Sequence, residues 1–198
     1  MLTFVLIVAI ALFSALWFVL GPILRSRRRE RWTHLSVPAE WREHLRTYMP
    51  FYEHIPASLQ ERLHGLMHVF LREKTFVGCN GLVVTDEMRI VIAGYACLLV
   101  LNRPGVPRHA FYDELMSILV YPTAFIVHES DEEDGIVTES ESVLSGQAWD
   151  SRRIILSWED IQDGVQEHAN VVLHEFAHYL DLEDETMDGA PGLGNAAE

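Results

Sequence analysis

From Met1 to Leu24 the chain is one uncharged, largely apolar run. As a helix it would reach roughly 36 Å at 1.5 Å per residue, enough for one transmembrane helix. Beyond it the pattern turns amphipathic. Ser58-Leu59-Gln60-Glu61 has the form of a capping box, and Leu59, Leu63, Leu66, Met67 and Phe70 recur at helical spacing, predicting a helix over Leu59 to Glu73. Gly78-Cys79-Asn80-Gly81 breaks the chain, and Thr85 is placed to cap a second helix through Met88, Ile90, Val91, Ile92, Tyr95, Leu98 and Leu101. That helix is apolar almost all round, but at about 16 residues, with Arg89 and Gly94 inside, it reads as a core helix rather than a second span. The β-branched and aromatic runs Ile118 to Tyr121, Ala124 to Val127 and Ile154 to Trp158 read as strands. Helical periodicity returns at Val171 to Asp181, and no internal repeat is present.

The last of these segments carries the chemistry. His174-Glu175-Phe176-Ala177-His178 is an HEXXH signature between uncharged flanks. At about 100° per residue, Val171, His174, Glu175 and His178 fall on one arc of the helix, and Val172, Leu173, Phe176, Ala177 and Leu180 on the other. Imidazoles one turn apart can aim at one Zn²⁺, while Glu175 reaches a water on the metal without being a ligand. Zn²⁺ acidifies that water, and Glu175 takes its proton and passes it to the leaving amine. The expected reaction is hydrolysis of a peptide bond with no acyl-enzyme. The chain offers an internal control in His64 and His68, also four apart. They lie opposite the apolar stripe of their helix with no glutamate between them, and read as solvated surface histidines rather than ligands.

Charge refines the plan. Arg25, Arg27, Arg28, Arg29 and Arg31 come after the apolar run with only Glu30 against them, so the positive-inside rule places the carboxyl side of the chain in the cytoplasm. A cleaved signal peptide is the rival reading. It should open on a basic region and close on small residues, whereas Leu20-Gly21-Pro22-Ile23-Leu24 precedes the arginines. The formal charge of the chain is −14, and outside the arginine stretch it is more acidic still, which disfavours nucleic acid as a partner. Glu129, Asp131, Glu132, Glu133 and Asp134 read as a solvated loop, and a second acidic cluster runs through Asp181, Glu183, Asp184 and Glu185. Cys79 and Cys97, with no CxxC spacing, read as free thiols. The expected organisation is a transmembrane helix over 1–24, a basic juxtamembrane connector over 25–50 containing Pro38 and Pro50, and one catalytic unit over 51–198. The order of helix, sheet and active-site helix predicts a zincin-like α+β domain.

Phe70-Leu71-Arg72-Glu73-Lys74, Val120-Tyr121-Pro122-Thr123-Ala124-Phe125, Ser145-Gly146-Gln147-Ala148-Trp149 and Ile154-Ile155-Leu156-Ser157-Trp158-Glu159-Asp160-Ile161-Gln162 precede the HEXXH block. Together they resemble the MtfA-like, glucose-regulated zinc metallopeptidases of bacteria. The resemblance implies His174 and His178 as zinc ligands and Glu175 as catalytic base, and since the family is bacterial, the membrane expected from Met1 to Leu24 and the arginines behind it is the bacterial inner membrane. It also implies a third ligand, a glutamate on a later helix beyond Glu198, so that the sequence reads as an amino-terminal portion, and these 198 residues by themselves are expected to be at most feebly active. Asp184, six residues after His178, is the nearer alternative. The anchor is an addition that the resemblance does not explain.

Two functions are expected on these grounds. One is a membrane-tethered zinc peptidase acting on peptide or protein substrates. The other, implied by the resemblance, is a regulatory binding protein that contacts a transcriptional repressor with weak or no catalysis. The trio His174, Glu175 and His178 argues for the first, since partner binding does not require it.

Overall fold

The computed structural model describes residues 1–109, 111–123, 125–133, 136–144, 152–167 and 170–183. The described elements are α1 (Leu2–Thr33), α2 (Ala39–Tyr48), α3 (Ala57–Glu73), β1 (Thr75–Gly78), α4 (Asp86–Leu99), β2 (Ser117–Tyr121), β3 (Phe125–Glu133), β4 (Ile136–Leu144), β5 (Arg153–Ser157), α5 (Trp158–Glu167) and α6 (Val171–Glu183). Among them, β1, β2 and β5 form a parallel sheet in the order β1-β2-β5, and β3 pairs antiparallel with β4 as a separate ribbon. This mixture of helix and sheet suits an α+β metallopeptidase domain.

Sequence explains the placement. Ile118 and Val120 of β2 and Ile154 and Leu156 of β5 are buried, while Leu119 and Ile155 between them are half-buried, the alternation of a sheet whose two faces differ. Against this sheet lie Leu63, Met67 and Phe70 of α3, Val91, Ile92, Tyr95 and Cys97 of α4, and Val172, Phe176 and Leu180 of α6, in one continuous core. Thr85 caps α4 as the sequence indicates, its Oγ1 accepting a hydrogen bond from the Met88 amide at 3.2 Å. Two glycines permit close helix packing. A Cβ on Gly65 of α3 would stand 2.8 Å from the Thr33 carbonyl oxygen, and one on Gly94 of α4 would stand 2.6 Å from Leu45 of α2. Both cysteines are free, Cys97 fully buried.

Several expectations change. The capping box at Ser58 does not form: α3 begins at Ala57 after Pro56. Gln60 instead donates to the Tyr52 and Ile55 carbonyls at 3.1 and 2.9 Å, closing the preceding turn. The stretch read as a connector is helical, α1 running on to Thr33 and α2 burying Leu45 and Tyr48. Of the acidic cluster read as a loop, Glu129 and Asp131 to Glu133 lie within β3, paired residue by residue with β4. Asp134 lies outside the described residues.

His64 and His68 are also corrected, since they are buried at 3% and 5% exposure. The Ser36 carbonyl accepts from His68 Nε2 at 3.1 Å, the Trp41 ring lies 4.5 Å from the His68 ring, and Tyr52 Oη is 2.7 Å from His64 Nε2. The segment after α1 and helix α2 thus cover the face of α3 that the helical pattern assigns to water. Burial first, then the charges of Arg42 and His68, pushes His64 down to about 4, and burial lowers His68 too.

Arg29 is the most buried charge of the basic stretch, at 1% exposure. Its guanidinium donates to Glu73 and Asp113, each with a contact of 2.7 Å, and to the Pro107 carbonyl at 2.9 Å. The end of α1 is thereby fastened to α3 and to the loop before β2. Among the described residues no helix is long and apolar enough to cross a membrane. The side chains of Leu2, Val5, Val8, Ala9, Ala11, Leu12, Ala15 and Val19 fall outside that description, so the basis for a span over Met1 to Leu24 stays in the sequence.

Candidate metal centre

Helix α6 is started by Asn170. Its Oδ1 accepts from the Leu173 amide at 2.9 Å and its carbonyl from the His174 amide at 3.1 Å, the arrangement of an N-cap. Asn170 is in turn tied to α4, because its side chain hydrogen-bonds the Tyr95 phenol, which burial pushes up to about 12. The Tyr95 hydroxyl donates to the Tyr48 carbonyl of α2. Val172, Phe176, Tyr179 and Leu180 are all buried, holding the opposite side of α6 in the core. The rings of Phe70 and Tyr112 pack on Phe176 with centroids 5.8 and 5.3 Å away.

His174 and His178 are exposed on the outer side of the helix. Their Nε2 atoms stand 3.1 Å apart, with ring centroids at 4.4 Å and planes at 86°. Two imidazole ligands on one tetrahedral Zn²⁺ stand roughly 3.3 Å apart given Zn–N bonds near 2.0–2.1 Å. The observed separation therefore fits the bite of a single zinc ion. It equally suits one N–H···N hydrogen bond between neutral rings.

Glu175 differs from the histidines in a way the helical projection does not separate. It is 4% exposed, and burial raises its carboxyl above the ordinary glutamate range, partly opposed by His178. The structure thus brings together two accessible nitrogen donors and one sequestered carboxyl, in the order that metal-assisted hydrolysis uses.

Two further carboxylates were not singled out by pattern. Asp160 Oδ2 and Asp181 Oδ1 are buried and have no hydrogen-bond partner among the described residues. Asp160 sits at the start of α5, where its amide donates to Ser157 Oγ at 3.2 Å, and burial raises its carboxyl. Asp181 lies seven residues after His174, within about 20° of it around the helix. Two turns separate it from His174, about 10 Å along the axis, and that repeat of seven is the sequence signal that sets it on this side of the helix.

Among the described residues, no group of three or more His, Cys, Asp or Glu side chains could hold a metal ion. Asp184, the nearer alternative for a third ligand, lies outside the described residues, as does the Ser145 to Trp149 segment.

With this geometry in place, similarity to known proteins narrows the reading. The model of the glucose-regulated metallo-peptidase M90 family matches residues 24–198. An uncharacterized protein of Synechocystis sp. is 40% identical over 163 residues, which make up 80% of this chain and 58% of that protein. Proteins called Mlc titration factor A from Yersinia pestis and Yersinia pseudotuberculosis are each 34% identical over 146 residues, covering 73% of this chain and 52% of theirs. The chain spans little more than half the length of these relatives. The matched region takes in the last turns of α1, Arg29, the parallel sheet and the whole of α6, and on that match the chain belongs to the glucose-regulated metallo-peptidase family M90.

Proposed function

We propose that this protein is a zinc-dependent peptidase in which His174 and His178 are metal ligands and Glu175 is the general base. The observation that supports this most directly is the 3.1 Å approach of two exposed Nε2 atoms beside a buried carboxyl on one helix. Zinc, when bound, supplies the Lewis acidity that brings a water's pKa to about 7. Glu175 accepts a proton from water and returns it to the amine that leaves. Its burial suits that task, because a carboxyl held above its ordinary range is a better proton acceptor and, once protonated, is not a buried charge. The third protein ligand is to be sought outside the described residues, with Asp184 the first to mutate in this chain.

Metal content and hydrolysis measured together test the reading. The full-length protein, purified in mild detergent, should carry zinc by mass spectrometry and cleave an unstructured protein such as casein, with cleavage lost on chelation and restored by zinc. Absence of zinc from the full-length protein removes the basis of the enzyme reading.

A second reading is favoured by the relatives called Mlc titration factor A, a name that describes titration of Mlc. In that reading this chain contacts a transcriptional repressor and catalysis is secondary. Co-purification with a repressor of that kind, unaffected by Glu175→Gln, would favour it.

We further infer a single-pass protein of the bacterial inner membrane with its catalytic part in the cytoplasm. The support is the uncharged stretch Met1 to Leu24, the arginines behind it, and the exposure of Phe4, Ile7, Phe13, Trp17 and Phe18 along α1. A topology reporter fused after Glu198 should read as cytoplasmic. A periplasmic signal would overturn the assignment.

A further inference from the structure

The strands of the β1-β2-β5 sheet are parallel, so their first residues, Thr75, Ser117 and Arg153, lie along one edge. Between that edge and α1 is a cleft of about 710 Å³ whose rim carries Arg25, Arg28, Arg72, Arg152 and Arg153, all exposed. No residue of α6 lines it. In a chain of formal charge −14 this is a local inversion of sign. The two carboxylates at its wall, Glu73 and Asp113, are both engaged by the buried Arg29, and Glu73 also has Arg28 of the rim at 3.9 Å. Arg28 and Arg72 approach one ring, that of Trp32, at 5.0 and 5.7 Å, which limits the freedom of both guanidinium groups before any ligand arrives.

A second groove adjoins the first. It lies on α1 alone, is apolar at one end, where Trp17, Phe18, Pro22 and Leu24 line it, and basic at the other, where Arg25 and Arg28, shared with the cleft, stand beside Arg27 and Arg31. A cationic cleft that continues along α1 into an apolar end at Trp17 and Phe18 matches an amphiphile whose head is an anion. Arginine is also the residue best suited to a phosphate diester, through paired N–H donors.

We propose that the basic cleft seats the phosphate headgroup of an anionic glycerophospholipid, with its acyl chains along the Trp17–Phe18 groove. This rests on the reading of α1 as membrane-embedded. It adds that the domain itself, through β5, selects the lipid beside the helix. Arginines confined to α1 would give only a nonspecific preference for a negative surface.

The test uses the full chain in an uncharged detergent, titrated separately with short-chain phosphatidylglycerol, short-chain phosphatidylcholine and inorganic phosphate, with adducts counted by native mass spectrometry. Phosphatidylglycerol should bind at least tenfold more tightly than phosphatidylcholine. The double variant R152Q/R153Q should lower that affinity roughly tenfold and leave phosphatidylcholine unchanged, and Arg72→Gln should act in the same direction. Circular dichroism of each variant should match the parent, which separates lost binding from lost fold, Arg72 being also a donor to the His68 carbonyl at 3.1 Å. Equal binding of the two lipids overturns the proposal. So does phosphatidylglycerol binding that ignores R152Q/R153Q and Arg72→Gln, which would assign it to the arginines of α1 alone. Inorganic phosphate binding as tightly as phosphatidylglycerol would make this a phosphate site rather than a lipid site. Flotation with vesicles of phosphatidylcholine alone tests the membrane reading separately. A chain that fails to float yet binds phosphatidylglycerol in detergent refutes the anchor and keeps the cleft.

Discussion

The ring of Tyr112 meets the ring of Phe176 edge to face, with centroids 5.3 Å apart and planes at 82°. Tyr112 holds a left-handed backbone conformation, φ +50°, uncommon for a side chain of its size. Its hydroxyl donates to the Ala96 carbonyl of α4 at 2.7 Å. One loop residue thus braces α4 and the helix that bears the histidines. Tyr112→Ala should cost about 3–5 kcal/mol through cavity formation, read by urea denaturation in mild detergent. Zinc affinity should fall with it, although Tyr112 touches neither histidine. A loss below 1 kcal/mol would show that the brace is not needed.

Glu175→Gln keeps the shape of the side chain and removes its basicity. In the full-length protein this variant should retain zinc while hydrolysis falls at least a hundredfold, the scale of a lost general base. His174→Ala and His178→Ala should each lose zinc together with activity. Metal content unchanged in either histidine variant would remove that residue from the site.

Arg29→Ala removes the cation that Glu73 and Asp113 share and leaves Glu73 with Arg28 at 3.9 Å. The expected cost is about 3 kcal/mol, the low end for removing one partner of a buried pair, because Asp113 is partly solvated. Arg29→Lys should recover only part of this, since an ammonium cannot reproduce the fork that reaches Glu73, Asp113 and the Pro107 carbonyl together. Thermal unfolding of the three proteins side by side gives the ranking.

His64 predicts an acid-side loss of stability. Its folded-state value, about 4, lies below the ordinary 6.5 because burial, then Arg42 and His68, disfavour the imidazolium. The unfolded chain takes up the proton first as pH falls. The contribution is complete above pH 6.5, shrinks as pH drops towards 4, and amounts to roughly 3 kcal/mol over that window. His68, also lowered, acts in the same direction. His64→Gln should flatten the pH dependence of the unfolding midpoint between pH 4 and 6.5. An unchanged slope would exclude His64 as its source.

What the sequence made legible was local. The cap at Thr85, the strands at Ile118 and Ile154, and the two histidines one turn apart depend on neighbours within a few residues, and these agree with the fold. What it hid depends on what packs from afar. His64 and His68 look solvated on a helical projection because Ser36, Trp41 and Tyr52 reach them from 12 to 32 residues away. Glu175 shares an arc with His174 in projection, yet one is buried and the other exposed. Arg29 is indistinguishable in sequence from the four arginines around it, and only the carboxylates 44 and 84 positions later single it out. Strand β1 has four residues, too few for an alternation to register.

The unbroken run of α1 from Leu2 to Thr33, roughly 48 Å at 1.5 Å per residue, sets the reach of the protein. On the proposed reading of α1 as membrane-embedded, Arg29, which bolts its last turns to the domain, would leave no slack tether between bilayer and domain. The domain would then ride at a fixed height and heading, unable to sweep the volume that a flexible leash allows. Substrates of a peptidase so held would be screened by where they travel before they are screened by what they contain. A partner that never approaches the membrane surface would be spared, however well its sequence suited the His174–His178 site.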